Sequence, residues 1–192
     1  MLGMLLLGIA ITTNAQRQRS KAVKKQVPVL GRHVITTAED LFVADLLRKM
    51  TLEEKVGQLS QYVGGSLLTG PKSGALSDSL MARGMVGSIL NVGGVDNLGK
   101  LQEKNMRLSR LKIPLVFGFD VVHGYKTIFP TPLAESCSWD LDLMYRTAKA
   151  AAIEASASGI HWTFAPMVDL ARDPRWGRIV EGAGEDPFFG CK

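Results

Sequence analysis

The sequence predicts an α/β fold made of parallel βα units, the N-terminal part of a (β/α)8 TIM-type barrel truncated after about three such units. Three observations carry that prediction. Short apolar runs alternate with amphipathic stretches at roughly 30-residue spacing, the pattern of parallel strands joined by crossover helices. Two clusters of chemically versatile side chains, Asp120 to His123 and Arg172 to Arg178, each follow an apolar run, so both fall at carboxyl ends of strands. No glycine-rich phosphate loop accompanies them. Glycines 64 and 65, or 93 and 94, are too isolated for a dinucleotide fingerprint, which places a barrel above a doubly wound sheet. A complete barrel takes about 250 residues. The chain has 192 residues and closes on Phe188-Phe189-Gly190-Cys191-Lys192, which reads as the opening of a further helix, so a fragment is expected.

The first segment, residues 1–15, is apolar almost throughout and ends Thr13-Asn14-Ala15 before Gln16, the small-residue pattern of a signal-peptidase site. It is shorter than the roughly 20 residues that span a bilayer. A signal peptide is therefore expected, with export to the periplasm or the medium and no membrane span once it is removed. Residues 16–37 read as a basic flexible tether. Within it Arg17, Arg19, Lys21, Lys24, Lys25 and Arg32 stand without an acid as far as Arg32. The whole chain carries a net charge of +5, from 23 basic and 18 acidic side chains; without those six cations the balance is 17 against 18. The charge thus belongs to the tether, and no basic stripe with interleaved aromatics remains for nucleic acid. Cys137 and Cys191 would permit one disulfide in an exported protein, but their spacing fits no metal or redox motif. Cys137 lies among apolar residues and is expected to be buried.

Residues 38–192 form the expected barrel segment. A helical period with Leu41, Phe42, Asp45, Leu46 and Met50 is followed by Thr51-Leu52-Glu53-Glu54, a capping box opening a second helix whose apolar face continues through Val56 and Leu59. Residues 64–75 are rich in Gly, Ser and Leu and read as a loop. A short helix over 78–83 is closed by Gly84. Residues 85–90 (MVGSIL) are the first strand, and 96–108, with Leu98, Leu101 and Leu108 on one face, the helix after it. Residues 114–119 are the second strand. The alanine-rich stretch 141–157 is a crossover helix ended by Gly159, and the apolar run 162–168 is the third strand, expected to be buried. Pro174 and Gly177 exclude a regular helix from the arginine-rich segment, which is therefore a loop.

The strand-end residues define the candidate site. Asp120 closes its strand, so its carboxylate should point to the upper rim, where an acceptor-only group suits two neighbouring hydroxyls. Capping local amides or pairing with Arg178 is the plainer alternative. Arg178 offers a planar fork of donors to adjacent oxygens, though a pair with Glu181 or Glu185 explains it as well. Arg172, Asp173 and Arg175 are expected to hold the loop over Trp176. His123 is expected to donate to a backbone carbonyl rather than act as a base. Asp169 ends the third strand and is a weaker pocket candidate, while Glu154 should be exposed or paired. No spacing among His33, His123 and His161 suggests a metal.

Together, GFDVVHG (residues 118–124) and APMVDLARDPRWGRIVEGAGEDP (165–187) resemble the N-terminal barrel of glycoside hydrolase family 3, and within it the exported bacterial β-glucosidases, from about Ala38 to the last residue. That resemblance implies removal of terminal, non-reducing β-D-glucosyl residues with retention of configuration and without a cofactor. It implies that Asp120 and Arg178 bind the terminal sugar of a β-glucoside or β-linked oligosaccharide, supported by His123, Asp169, Arg172 and Glu181. It also implies that no catalytic residue lies in this chain: the aspartate nucleophile, the glutamate acid/base and a Lys-His pair are all expected beyond Lys192. The fragment alone is therefore expected to be inactive. β-Xylosidase or another family 3 specificity remains open, as does a non-catalytic sugar-binding relative.

Overall fold

The computed structural model describes residues 37–64 and 76–192. The expected signal peptide, the tether up to residue 36 and the loop from residue 65 to 75 lie outside the described residues. The chain divides into two compact units, Met1–Leu46 and Leu47–Lys192. The first contributes to the description only residues 37–46, most of helix α1 (Ala38–Lys49). Glu39 and Asp40 in its first turn and Arg48 and Lys49 in its last complement the helix dipole. The Thr37 hydroxyl accepts the Asp40 amide at 3.1 Å.

In the second unit, helix α2 (Leu52–Gln58) begins with the expected capping box: the Thr51 amide donates to Glu54 Oε2 at 2.9 Å and the Glu54 amide to Thr51 Oγ1 at 3.2 Å. The buried face differs from the expected one. Leu52, Val56 and Leu59 are exposed, Leu59 by 87%, whereas Glu54 and Gly57 are buried. The physical reason is close backbone approach, because a Cβ on Gly57 would stand 2.2 Å from the Gly84 carbonyl. Glu54 tolerates burial because Arg110 Nε and Nη2 donate to its carboxylate at 3.0 and 2.6 Å, and that pairing holds its carboxyl below the usual range.

Among the described residues four strands follow in spatial order β1-β2-β3-β4, all parallel: β1 (Gln61–Val63), β2 (Ser88–Leu90), β3 (Val116–Phe119) and β4 (Trp162–Thr163). Tyr62 pairs with Ile89 and Ile89 with Phe117, while Gly118 pairs with Trp162. Each strand lies beside its predecessor, with helix α3 (Asp78–Ala82) between β1 and β2, α4 (Val95–Leu108) between β2 and β3, and α5 (Pro132–Ser136) and α6 (Leu141–Ala157) between β3 and β4. This is the expected α/β organisation with one strand more than anticipated. β1 has three residues, one of them Gln61, too short and too polar to stand out as an apolar run.

The core gathers Met81 of α3, Val86 and Ile89 at β2, Leu98 of α4, Leu115 and Phe117 at β3, and Ala151 and Ala155 of α6. Two polar residues of α4 also face inward. Asn105 donates to the Ile113 carbonyl at 2.7 Å and Gln102 accepts the Leu115 amide at 2.9 Å. They satisfy backbone that enters β3 through a non-helical turn. His161, just before β4, clasps β3 itself: its Nδ1 accepts the Phe117 amide at 3.1 Å while its own amide donates to the Phe117 carbonyl at 2.9 Å.

Two further expectations are corrected. The third predicted strand, 162–168, is regular only over Trp162–Thr163 and both residues are exposed. The Phe164 amide adds one bond to the Phe119 carbonyl at 3.3 Å. Pro166 then has no N–H to continue the ladder. β4 is also an edge, so Trp162 keeps 49% of its surface. Cys137 is exposed rather than buried, since it caps the short α5 with its thiol on the Leu133 carbonyl at 3.3 Å, and both cysteines are free. The chain's end does open a helix, α7 (Pro187–Gly190), with Asp186 Oδ1 accepting the Phe188 amide at 2.8 Å.

Candidate functional site

β2, β3 and β4 run parallel, so residues 91, 120 and those after 163 emerge at the same edge of the sheet. Asp120 follows the last residue of β3 directly. It does not pair with Arg178 and is engaged instead by Asn91, the residue after β2. Asn91 Nδ2 donates to Asp120 Oδ2 at 2.8 Å, and the Asp120 amide donates to Asn91 Oδ1 at 3.1 Å. Sequence reasoning missed Asn91. Its signal was an asparagine between a strand and Gly93-Gly94, a place that suits the left-handed backbone it adopts at φ 59°.

Past β4 the chain crosses the same edge as a loop. Met167 bridges to Gly182 and the Ala171 amide donates to the Gly184 carbonyl at 3.1 Å, so the arginine-rich segment is pinned at its base. Asp173 and Arg175 pair with each other, Arg175 Nε to Asp173 Oδ1 at 2.9 Å and Nη2 to Oδ2 at 2.6 Å. The half-buried Trp176 donates its amide to the Asp173 carbonyl at 3.0 Å. Arg172 is exposed and pairs with no acid among the described residues.

Arg178 is held by Glu181 from the next 3-10 turn, Ile179–Glu181. Its Nε lies 3.0 Å from both carboxylate oxygens and its Nη2 2.5 Å from Oε2. The Arg178 pKa is raised first by this pair and then by the fields of Asp169 and Asp120. Glu181 is correspondingly lowered, chiefly by its hydrogen bonds from Arg178. Thus Asp120, Asp169, Arg178 and Glu181 share one electrostatic neighbourhood. The fork uses Nε and Nη2, leaving the two Nη1 protons free of Glu181. Asp120 Oδ1 likewise accepts no hydrogen bond among the described residues. Two oppositely charged groups with unused capacity at one rim can receive a polyhydroxylated ligand.

His123 stands apart from this group. Its Nδ1 lies 3.0 Å from the Phe129 carbonyl, while the Phe129 amide donates to the His123 carbonyl at 2.9 Å, closing the loop after β3 on itself. Glu154 of α6 holds the same loop, accepting the Lys126 and Thr127 amides at 2.9 and 2.8 Å and the Thr127 hydroxyl at 2.6 Å. Those bonds, the Thr127 hydroxyl first, lower its pKa. A cleft of about 410 Å³ lies below, between α6 and β4, lined by Val121, Met144, Ala148, Ala151 and Trp162 among others. None of Asp120, Asp169 or Arg178 lines it, so this cleft and the polar rim are separate features. No group of three potential metal ligands occurs among the described residues, and none of their helices is long and apolar enough to cross a membrane.

The profile described as "Glycosyl hydrolase family 3 N terminal domain" matches residues 51–190. A periplasmic β-glucosidase of Salmonella typhimurium is 44% identical over 162 residues, covering 84% of this chain and 21% of that protein. A putative β-xylosidase of Formosa agariphila is 30% identical over 163 residues, covering 75% and 21%. Among solved structures, the β-glucosidase of Listeria innocua in complex with isofagomine superposes with a TM-score of 0.70 at 44% identity, covering 81% of this chain and 21% of that one. The chain spans about a fifth of the length of these relatives.

Proposed function

The chain belongs to glycosyl hydrolase family 3, as the first part of a TIM-type barrel, and from that premise we propose that it supplies the sugar-binding rim of an exported, retaining β-glucosidase. The observation that carries this reading is the convergence of Asp120, Asp169 and Arg178 at the carboxyl edge of β3 and β4, with Asp120 Oδ1 and Arg178 Nη1 unused. An ionised carboxylate accepting two ring hydroxyls and a guanidinium donating to a third oxygen would hold a terminal glucosyl residue in one orientation. Glu181 keeps the Arg178 fork in place, and Asp173 with Arg175 shapes the loop around it. His123 and Glu154 fix the neighbouring loop without touching the sugar.

The reaction itself needs two further carboxyl groups about 5–5.5 Å apart. These belong to the complete polypeptide outside the 192 residues, a reading supported by the fifth of the relatives' length that the chain spans. The nucleophilic carboxylate would bond to the anomeric carbon as the glycosidic C–O bond breaks and the acid protonates the departing oxygen. Water, deprotonated by the same residue, then releases glucose with its configuration retained. Asp120 and Arg178 contribute by gripping hydroxyls more tightly as the ring flattens towards the oxocarbenium-like state. The apolar leader ending at Ala15 and the periplasmic relative support export.

A panel of p-nitrophenyl glycosides tests the reading on the complete enzyme. The β-D-glucoside should be turned over with the highest kcat/KM. A β-D-xyloside preference would move the chain to the specificity named for the Formosa relative, and binding of glucose without hydrolysis of any member would make it a non-catalytic sugar binder.

A further inference from the structure

Asp120 can select hydroxyls only if its carboxylate is held still, and its own position at a strand end gives it no such restraint. The restraint comes from the neighbouring strand. Asn91 reaches across from the end of β2 and makes two bonds to one residue, side-chain amide to Oδ2 at 2.8 Å and side-chain carbonyl to the Asp120 amide at 3.1 Å. A third bond, from the Asn91 amide to the Gly118 carbonyl at 2.9 Å, sets Asn91 itself on β3. Its left-handed backbone, φ 59°, turns the side chain along the sheet edge towards Asp120. The three bonds fix both partners, and they divide Asp120 into a tethered oxygen, Oδ2, and a free one, Oδ1.

We infer that Asn91 is a positioning residue for the sugar-binding carboxylate, orienting Asp120 so that Oδ1 and the outer lone pair of Oδ2 face the ligand. This rests on the reading of Asp120 as a sugar ligand. Asparagine suits the post for two reasons. It is among the few non-glycine residues that enter the left-handed region readily, and its amide offers a donor and an acceptor 120° apart, matching a carboxylate oxygen and a backbone N–H. Asp shares the shape and the backbone tolerance but not the donor. Arg178, held by Glu181, feels the fields of Asp120 and Asp169, and an added carboxylate at position 91 would meet Asp120 directly.

Three variants of the complete enzyme separate the possibilities, each checked by thermal unfolding, by the pH profile of kcat/KM on p-nitrophenyl β-D-glucoside and by calorimetric binding of isofagomine. Asn91→Gly keeps the backbone conformation and removes the clamp; kcat/KM should fall on the order of 10²-fold, the effect of a misplaced binding group. Asn91→Asp should be as poor or worse at pH 7, where two adjacent carboxylates repel. It should recover on acidification, because the pair then shares one proton that restores a donor between positions 91 and 120. Isofagomine binding should weaken in step. Asp120→Ala is the reference. If it retains wild-type kcat/KM, the sugar-ligand reading fails and takes this inference with it. If Asp120→Ala collapses while Asn91→Gly and Asn91→Asp remain near wild type, or if Asn91→Asp loses activity with an unshifted pH profile, the positioning role alone is overturned. Should Asn91→Gly not fold, the pH profile of Asn91→Asp decides between the same outcomes.

Discussion

Adding one methyl group at Gly87 should damage this protein, and adding the same group at Gly99 should improve it. Gly87 precedes β2, where its amide donates to the Ser60 carbonyl at 3.1 Å and its carbonyl accepts the Val116 amide at 3.1 Å, tying β1, β2 and β3 together at their entry. A Cβ there would sit 2.1 Å from the Gln58 carbonyl oxygen, 2.5 Å from its carbon and 2.8 Å from its Cα. All three atoms are backbone, so no side chain can swing away. Ordinary contact begins at 3.4 Å, and the α2–β1 corner would have to move off β2 by more than an ångström. Overpacking of this kind costs about 3 kcal/mol, and the corner would be pushed away from β2, the strand that Asn91 follows. Gly99 lies in the middle of α4 with nothing within 4 Å of its would-be Cβ. There alanine should stabilise by about 0.5–1 kcal/mol through helix propensity alone. Chemical denaturation of the complete enzyme, followed by tryptophan fluorescence and by kcat/KM on an aryl β-glucoside, reads both. A Gly87→Ala protein as stable and as active as wild type would refute the close packing of α2 on the sheet, and a destabilised Gly99→Ala would refute the open surface of α4.

Three other expectations follow from the same geometry. Arg178→Lys keeps the charge but loses the planar fork, so kcat/KM should fall strongly with little change in melting temperature, whereas Arg175→Lys, at an arginine whose acidic partner among the described residues is Asp173, should leave turnover nearly intact; a larger loss of turnover at position 175 would reverse the assignment. Glu54 and Glu154 both have folded pKa values below 4.5, held down chiefly by hydrogen bonds from Arg110 and Thr127 respectively, so their contribution is fully present above about pH 4.5 and fades as pH falls through the lowered values. Acid unfolding curves of Glu54→Gln and Glu154→Gln should therefore be flatter than wild type below that pH, and unchanged curves would contradict the pairing. Residues 16–192 expressed alone should aggregate or unfold readily and show no hydrolysis, since β4 presents an open edge and Tyr145, Ile153, Trp162 and Val168 are exposed; a soluble, cooperatively folding product with turnover above background would place the reacting carboxylates within this chain.

Much of the architecture was legible because it rests on strong local signals. Thr51 and Glu54 announce a helix start wherever they occur at that spacing, and residues 96–108 and 141–157 carry enough helical period to survive any context. What escaped was set by tertiary contact. The polar, three-residue β1 gains strand geometry from pairing with β2, which no local pattern records. The inward face of α2 is chosen by backbone approach at Gly57 and by the distant partner Arg110, so the apolar Val56 and Leu59 mislead. The candidate site divides in the same way. Asp120 and Arg178 were found from strand-end position and motif, and the Arg178–Glu181 pair from proximity in sequence. Asn91 was invisible because its meaning depends on β2 and β3 being neighbours, 29 residues apart along the chain.

The most direct test is to follow hydrolysis of p-nitrophenyl β-D-glucopyranoside by the complete enzyme and its Asp120→Ala variant with proton NMR, recording rate and first-formed anomer together. The account predicts β-glucose as the first product of the wild-type enzyme and a loss of several powers of ten in rate without Asp120. α-Glucose appearing first, or an Asp120→Ala enzyme turning over at the wild-type rate, would contradict it.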